Sequence, residues 1–309
     1  MKSVTEVGSE MRSYYGRPVL HLPVWKWQIP WYFFTGGVGG TVSVIGRLAR
    51  SRGNDSLANR CLWIGLAADS VSPVLLILDL GRPERFHHMF RVFKVTSPMN
   101  IGSWMLGASG TVMGIAAAAH VTGMERLRNA AERVSALLGL PLATYTAVLV
   151  SDTAVPVWHE ARRELPFVFA SSSAASGGAA AAVLTPAEDA GPARRIAVGG
   201  ALAANIATLV MEKRLGDLAQ PYKEGAAGRY TKLAKGLSLA GAAVLGLAGR
   251  RRPGAVAGGA LLLAGEACLR WSVFKAGFQS AEDPRYMVEP QRERADREGS
   301  YASTRSAPS

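Results

Sequence analysis

Charge is scarce in this chain of 309 residues, and that scarcity restricts its class first. Only 19% of the residues are charged and 49% are hydrophobic, whereas a water-soluble protein carries about 25% charged residues. This balance argues against an ordinary soluble enzyme and indicates an integral membrane protein. The net charge of +12 does not require nucleic acid, because anionic lipid or an acidic protein partner would complement it equally well.

Cysteine is nearly absent. Cys61 and Cys268 lie far apart in the sequence and form no CxxC pair. Because an iron–sulfur cluster is usually bound by four thiolates, we predict that the chain carries no iron–sulfur cluster of its own.

Long hydrophobic runs are abundant. Eight of them approach the roughly 20 residues with which a helix crosses the hydrocarbon core of a bilayer. These predicted spans cover residues 31–49, 61–80, 100–122, 135–158, 165–185, 194–211, 233–249 and 254–276. The later ones are rich in Ala and Gly, and small residues of this kind let membrane helices pack closely. The sequence therefore predicts an all-α integral membrane protein with eight transmembrane helices.

Lys and Arg are unevenly distributed over the loops between these spans. One side of the membrane carries the larger share of these cations. That side holds the N-terminus, residues 79–100 (the 79–100 loop), the loop around residue 223 and the C-terminal tail. Since cytoplasmic loops carry the excess of Lys and Arg, we predict that both termini and the 79–100 loop are cytoplasmic.

Histidine is also sparse, which limits the ways in which the chain could bind haem. His120 and His159 lie near the ends of consecutive spans, but the predicted topology puts them on opposite sides of the membrane. A pair such as His21 and His159 stays open on the inner side. We predict that the chain binds no haem.

Several motifs occur in a definite order along the first half of the chain. They are IPWYFFTGGVGG, LDLGRPERF, TSPMNIGSW, TYTAVLVSD, PVW and LPFVFASSSAASGG. In these motifs the chain resembles the membrane subunits of the NrfD/polysulfide reductase family, most clearly over residues 25–185. The later LGDLAQPYKEG supports the same resemblance.

The resemblance implies two four-helix bundles with a quinone pocket in the first, and together with the charge distribution and the polar composition of the tail it gives a domain plan. A cytoplasmic segment 1–30 precedes a first four-helix bundle over residues 31–158, which contains a quinone pocket. A second four-helix bundle over residues 165–276 and a polar, disordered tail over residues 277–309 follow. The resemblance also implies a ferredoxin-like iron–sulfur partner, a molybdopterin catalytic subunit, and menaquinone or ubiquinone as the bound substrate.

The 79–100 loop is the predicted rim of the quinone site. A quinone exchanges two electrons and two protons, so its headgroup needs hydrogen-bond partners and an ionisable group that is connected to water. Asp79 ends the second span, Arg82 could pair with it, and His87 with its neighbour His88 titrates in the physiological range. Asn100 could donate to a quinone carbonyl, or together with Ser97 and Pro98 it could begin the third helix.

Two further candidates for the quinone site come from the resemblance. His21 precedes the first span, where the family places polar residues that line the pocket. Tyr145 matches a pocket tyrosine of the fourth span, although the predicted topology places it toward the outer half of the membrane.

Charged residues inside the spans predict a proton path. Asp69 lies near the middle of the second span, four residues before Pro73, and Asp152 lies in the inner half of the fourth span. We predict that Asp69, Asp79 and Asp152 carry protons, because ionisable residues inside a membrane are costly and are commonly functional. Glu266 and Arg270 are four residues apart, and we predict that they form a structural ion pair.

Two classes of function follow from these observations. The first is a quinone-reactive membrane anchor that is not catalytic alone and passes electrons between an iron–sulfur/molybdopterin partner and the quinone pool. The alternative is a transporter or ion-conducting subunit, in which Asp69, Asp152 and Glu266 would line the path.

Overall fold

A computed structural model describes residues 23–283 together with residues 285 and 286 of the chain. Every regular element in this part of the chain is a helix. The α-helices are α1 (Gln28–Ser51), α2 (Asp55–Asp79), α3 (Pro98–Val121), α4 (Glu125–Ser151), α5 (Pro156–Glu160), α6 (Leu165–Leu184), α7 (Gly191–Leu215), α8 (Gly225–Ala248) and α9 (Arg252–Glu282). Short 3₁₀ helices cover Pro83–Phe90, Ala161–Arg163 and Gly216–Tyr222.

Seven of the helices in the described residues are long and apolar enough to cross a membrane, namely α2, α3, α4, α6, α7, α8 and α9. The chain is therefore a multi-pass membrane protein. The predicted number of eight is met only in part, because α1 has 24 residues but falls outside this set. Its five glycines, its Trp and its Tyr contribute little to hydropathy.

Several predicted boundaries shift. Helix α4 ends at Ser151, so the fourth span does not continue to residue 158, and the short α5 covers part of the remainder. Helix α9 runs to Glu282, so the tail predicted from residue 277 begins with helix. The start of α3 is as predicted: Ser97 caps it, with its hydroxyl accepting the N–H of Asn100 at 3.4 Å, and Pro98 opens the first turn.

The helices pack mainly against near neighbours in the chain. In the first half, α1 packs against α2 and α4, and α3 packs against α4 and α2. In the second half, α6 packs against α7 and α9, and α9 packs against α8. Helix α6 also contacts α1 and α4, so it joins the two halves.

Glycines at the helix crossings allow backbone to touch backbone. A Cβ atom at Gly40 of α1 would lie 2.5 Å from the carbonyl oxygen of Gly139 in α4. At Gly200 of α7 it would lie 2.5 Å from the amide nitrogen of Ala175 in α6. These contacts are the kind that small residues permit in membrane proteins.

A buried tryptophan joins the short helix α5 to the last helix, α9. Trp158 of α5 is fully buried, and its indole N–H donates to the carbonyl oxygen of Val273 in α9 at 2.7 Å. Its ring lies directly against Gly277, where any side chain would collide with it. The PVW motif therefore connects the end of the first half of the chain to the last helix.

The crossing of α6 and α7 yields a stability prediction. We expect Gly200→Ala to lower the thermal midpoint in detergent, because forcing a methyl group into backbone contact costs about 1–3 kcal/mol. The matched control is Gly199→Ala, since a Cβ atom there meets nothing within 4 Å and alanine favours a helix by about 1 kcal/mol. Equal midpoints for the two variants would contradict the close crossing.

Candidate functional site

A cavity of about 380 Å³ lies between α2, α3 and the 3₁₀ helix of the 79–100 loop. Its size falls in the range of small-molecule sites, about 300–1,000 Å³. The walls are mostly apolar, and a few polar groups lie among them. The lining residues are Asp69, Ser70, Pro73, Leu76, Ile77, Phe86, Met89, Phe90, Ser103, Leu106, Gly107, Gly110 and Thr111.

Asp69 is the acidic group of this cavity. It is 2% exposed, and its Oδ2 accepts a hydrogen bond from the Ser109 hydroxyl of α3 at 2.7 Å. Its Oδ1 has no hydrogen-bond partner among the described residues and lies directly against Gly39 of α1. The carboxyl group therefore sits where α1, α2 and α3 meet, with one oxygen still able to take part in hydrogen bonding.

Proline and glycine shape the backbone around Asp69. Pro73 lies inside α2 and has no N–H, so the carbonyl of Asp69 lacks its helical donor. Gly110 of α3 faces that carbonyl, and a Cβ atom there would lie 3.6 Å from the oxygen. The smallness of Gly110 keeps this end of the cavity open.

The 3₁₀ helix Pro83–Phe90 covers the other end of the cavity. Phe86, Met89 and Phe90 line it from this side, and the Phe90 ring packs edge-on against Trp104 of α3 with ring centroids 5.4 Å apart. Gly107 leaves room for Phe90, since a Cβ atom there would lie 3.0 Å from the ring. The loop therefore reaches over the cavity with aromatic side chains.

Asn100 organises this loop. Its Oδ1 accepts the backbone N–H of Lys94 at 2.7 Å, and its Nδ2 donates to the carbonyl oxygen of Met89 at 3.0 Å. Both ends of the amide are thus engaged by the loop backbone. Asn100 does not line the cavity and acts on it through the position of the loop.

The family profile for polysulfide reductase, of the NrfD type, matches residues 11–283. The chain belongs to the polysulfide reductase family. This confirms the resemblance, and the match extends through the second half of the chain. No curated protein matches the chain significantly.

In this polysulfide reductase family member, the other candidates in the 79–100 loop lie outside the cavity. Asp79 accepts the backbone N–H of Lys26 at 2.9 Å and thereby fixes the segment that leads into α1. Arg82 is exposed and forms no ion pair with Asp79 among the described residues, so the suggested pair is wrong. His87 and His88 are exposed, with ring centroids 4.3 Å apart.

Tyr145 lies at a different depth from the one expected. Its ring packs directly against Gly102 in the first turns of α3, so it sits at the same end of the molecule as the 79–100 loop and not in the opposite half. The reason is that α4 begins earlier and ends earlier than the predicted span. Tyr145 is hydrogen-bonded to Tyr32 of α1, and neither ring lines the cavity.

The remaining candidates are not brought together with Asp69. Asp152 is exposed in the turn after α4, so its expected place inside the fourth helix is wrong. His21 lies outside the described residues. Asp69 is the one predicted site residue, among those the structure describes, that lines the cavity.

Sequence reasoning missed the residues of α3 and of the loop that complete the cavity. Ser109 and Gly110 could have been found as the small polar partners that a buried carboxylate in a neighbouring helix requires. Phe86 and Phe90 carry no such signal, because their contact with the cavity depends on the path of the loop.

Glu266 and Arg270 are both 1% exposed in α9 but form no ion pair within 4 Å. The predicted direct contact is therefore wrong, although the two charges still attract each other, and each group has other hydrogen-bond partners. In the described part of the chain, no group of three or more His, Cys, Asp and Glu residues could hold a metal ion. That the chain binds neither haem nor an iron–sulfur cluster remains a prediction.

Proposed function

We propose that the chain is the quinone-reactive membrane subunit of an oxidoreductase complex. The observation that carries this proposal is the apolar cavity between α2, α3 and the 79–100 loop, which Asp69 helps to line while its buried carboxyl group lies between Gly39 of α1 and Ser109 of α3. Family membership supports an oxidoreductase complex as the setting. The chain is not expected to be catalytic alone.

The chemistry of the cavity suits a quinone headgroup. Reduction of a quinone consumes two electrons and two protons, and oxidation of the quinol releases them. Leu76, Ile77, Phe86 and Phe90 would contact the flat ring, and Ser103 could donate a hydrogen bond to a carbonyl oxygen by releasing the carbonyl of Met99, to which it donates at 3.0 Å. The isoprenoid tail would leave through the apolar side of the cavity into the lipid.

Asp69 is the proposed proton carrier of this site. One of its oxygens is engaged by Ser109 and the other is unpaired, so it can give or take a proton without breaking the Ser109 contact. Asp79, His87 and His88 lie at the loop surface and could exchange protons with water. Asp152 is exposed beyond the end of α4, where it could exchange protons only with the surface.

The electron partner is proposed to dock at the 79–100 loop. The loop exposes Arg82, Arg85, Arg91 and Lys94, which would complement an acidic surface. A ferredoxin-like iron–sulfur subunit placed there would bring its cluster to the cavity side of the membrane. A molybdopterin catalytic subunit would complete the complex.

The number of transmembrane helices and their division into two bundles are part of the same proposal. We take α1 as the eighth transmembrane helix, because it packs between α2 and α4. The preferential contacts within each half of the chain support two four-helix bundles, α1–α4 and α6–α9. A transport path would require Asp69 and Glu266 to line one continuous route. Asp69 contacts α1 and α3 whereas Glu266 contacts α8, so the two carboxyl groups belong to separate sites.

Filling the cavity tests the quinone site. We expect Gly110→Leu to reduce co-purifying quinone at least about tenfold, a loss of about 1.4 kcal/mol in binding, because the side chain would enter the cavity beside Asp69. Gly114→Leu is the control, since Gly114 is one turn further along α3, meets nothing within 4 Å and does not line the cavity. Solvent extraction and quantification of quinone per purified protein measure the effect. Equal quinone content in both variants would refute the site.

Removing the Asp69 carboxyl group tests the proton role. We expect Asp69→Asn in the assembled complex to slow quinone-coupled proton uptake by vesicles about 10²-fold, because a positioned acid or base contributes on that order. Assembly with the partner subunits should persist, since the amide can still bond to Ser109. Unchanged proton uptake would remove Asp69 from the mechanism while leaving the quinone site intact.

The proposed orientation is tested by a tag on the C-terminus. With both termini in the cytoplasm, the tag should be labelled by an impermeant reagent only after cells are opened. Labelling of intact cells would reverse the orientation and place the partner on the opposite side of the membrane.

A further inference from the structure

The second half of the chain contains a buried polar cluster that the quinone site does not use. Its central residues are Glu266 and Arg270 of α9, each 1% exposed. Ionisable side chains at such depth are costly in a membrane protein and mark sites where charge or protons are handled.

Arg270 binds toward α6. Its Nη2 donates to the carbonyl oxygen of Phe169 at 3.0 Å and to the Ser173 hydroxyl at 2.9 Å, and its guanidinium carbon lies 3.9 Å from the centre of the Phe169 ring. Its Nε and Nη1 have no hydrogen-bond partner in the described residues. The cation is therefore held firmly on one side and unpaired on the other.

Glu266 binds toward α8. Its Oε1 accepts a hydrogen bond from the Ser238 hydroxyl at 2.7 Å, while its Oε2 is buried without a partner among the described residues. The hydroxyl of Ser172 in α6 lies beside this carboxyl group without completing a hydrogen bond to it. Buried polar atoms are nearly always satisfied by protein or by ordered water, so this group of atoms is the kind that binds internal water.

A cavity of about 10 Å³ adjoins the carboxyl group of Glu266. That is about the volume that one water molecule requires. Its polar lining comes from α7, α8 and α9, namely Asn205, Thr208, Thr231, Lys235, Ser238 and Glu266. A water in this cavity would have several hydrogen-bond partners.

Polar residues continue from this cavity toward the outside of the helices α7 and α8. The amide of Asn205 donates to the Ser238 hydroxyl at 3.2 Å, which links α7 to the group that binds Glu266. Lys235 also lines the cavity, is paired with Glu212 of α7 at 2.8 Å, and has 31% of its side chain exposed. Polar groups thus extend from Glu266 to the half-buried ion pair of Lys235 and Glu212.

We propose that Glu266 is a second protonatable site, which exchanges a proton with the aqueous phase through bound water along the route that ends at Lys235 and Glu212. In this exchange, hydronium in the route gives a proton to the Glu266 carboxylate and leaves water behind, and the reverse step restores it. The charged groups that face the site are Arg270 from α9, Lys235 from α8 and Glu212 from α7.

This inference does not rest on the proposed quinone function. The site belongs to α6–α9, and its exchange can be measured on the full-length chain without quinone or partner subunits. A failure of the quinone site would therefore leave it untouched.

Infrared spectroscopy of the full-length protein in lipid nanodiscs tests the proposal. Stepping the bulk pH should change the amplitude of a protonated carboxyl C=O band, and deuterated buffer should shift that band. We expect the band to disappear in Glu266→Gln and to persist in Asp69→Asn. Should Glu266→Gln fail to fold, Glu266→Asp provides the assignment, because it moves the band instead of removing it.

The route is tested by a matched pair of serine substitutions. Ser238→Ala should slow hydrogen–deuterium exchange of the Glu266 band about tenfold, because it removes the hydroxyl between Asn205 and Glu266. Ser280→Ala is the control, since Ser280 is equally buried in α9 but bonds only to the carbonyl of Gly277. A Glu266 band that is absent at every pH, or that neither titrates nor exchanges, would overturn the proposal. Equal exchange in the two serine variants would overturn the route.

Discussion

Close contact between helix backbones, permitted by glycine, is the constraint on which the rest of this structure depends. Gly40 lets α1 touch α4, and the adjacent Gly39 lets the carboxyl group of Asp69 lie against α1. Gly110 then keeps the space beside Asp69 open from the side of α3. In lipid, helices gain little from burying apolar side chains against one another, so such close packing supplies much of the attraction between them. The same small residues therefore assemble the helices and leave room for the cavity.

The buried ionisable groups fall into two separate clusters. Asp69 is satisfied by Ser109 of α3, whereas Glu266 and Arg270 are satisfied by Ser238 of α8 and by the backbone and Ser173 of α6. The hydrogen bonds of each charged group thus go to neighbouring helices, and Glu266 and Arg270 do not bond directly to each other. Both clusters keep polar atoms without a protein partner among the described residues, and ordered water commonly binds such atoms.

Much of the architecture could be predicted from the sequence, whereas little of the site could. The helices and the cap at Ser97 follow from local patterns that act within a few residues. Asn100 was a candidate ligand, yet its amide is used by the loop backbone, because the loop folds back on the start of α3. Asp152 looked intramembrane only because the end of α4 was placed too late, and an apolar run does not mark the residue at which a helix stops.

The sequence by itself determined the membrane class, the helical content and the family, because hydropathy and ordered motifs are properties of the chain alone. It also singled out Asp69, since a carboxylate inside an apolar run is costly wherever the helix is packed. Only the tertiary structure decided which helices meet. It also decided that Asp69 lines a cavity together with Phe86 and Phe90, and that Glu266 and Arg270 bind different partners. The physical reason is that such contacts join residues tens of positions apart, and they depend on helix rotation and crossing that no local pattern encodes.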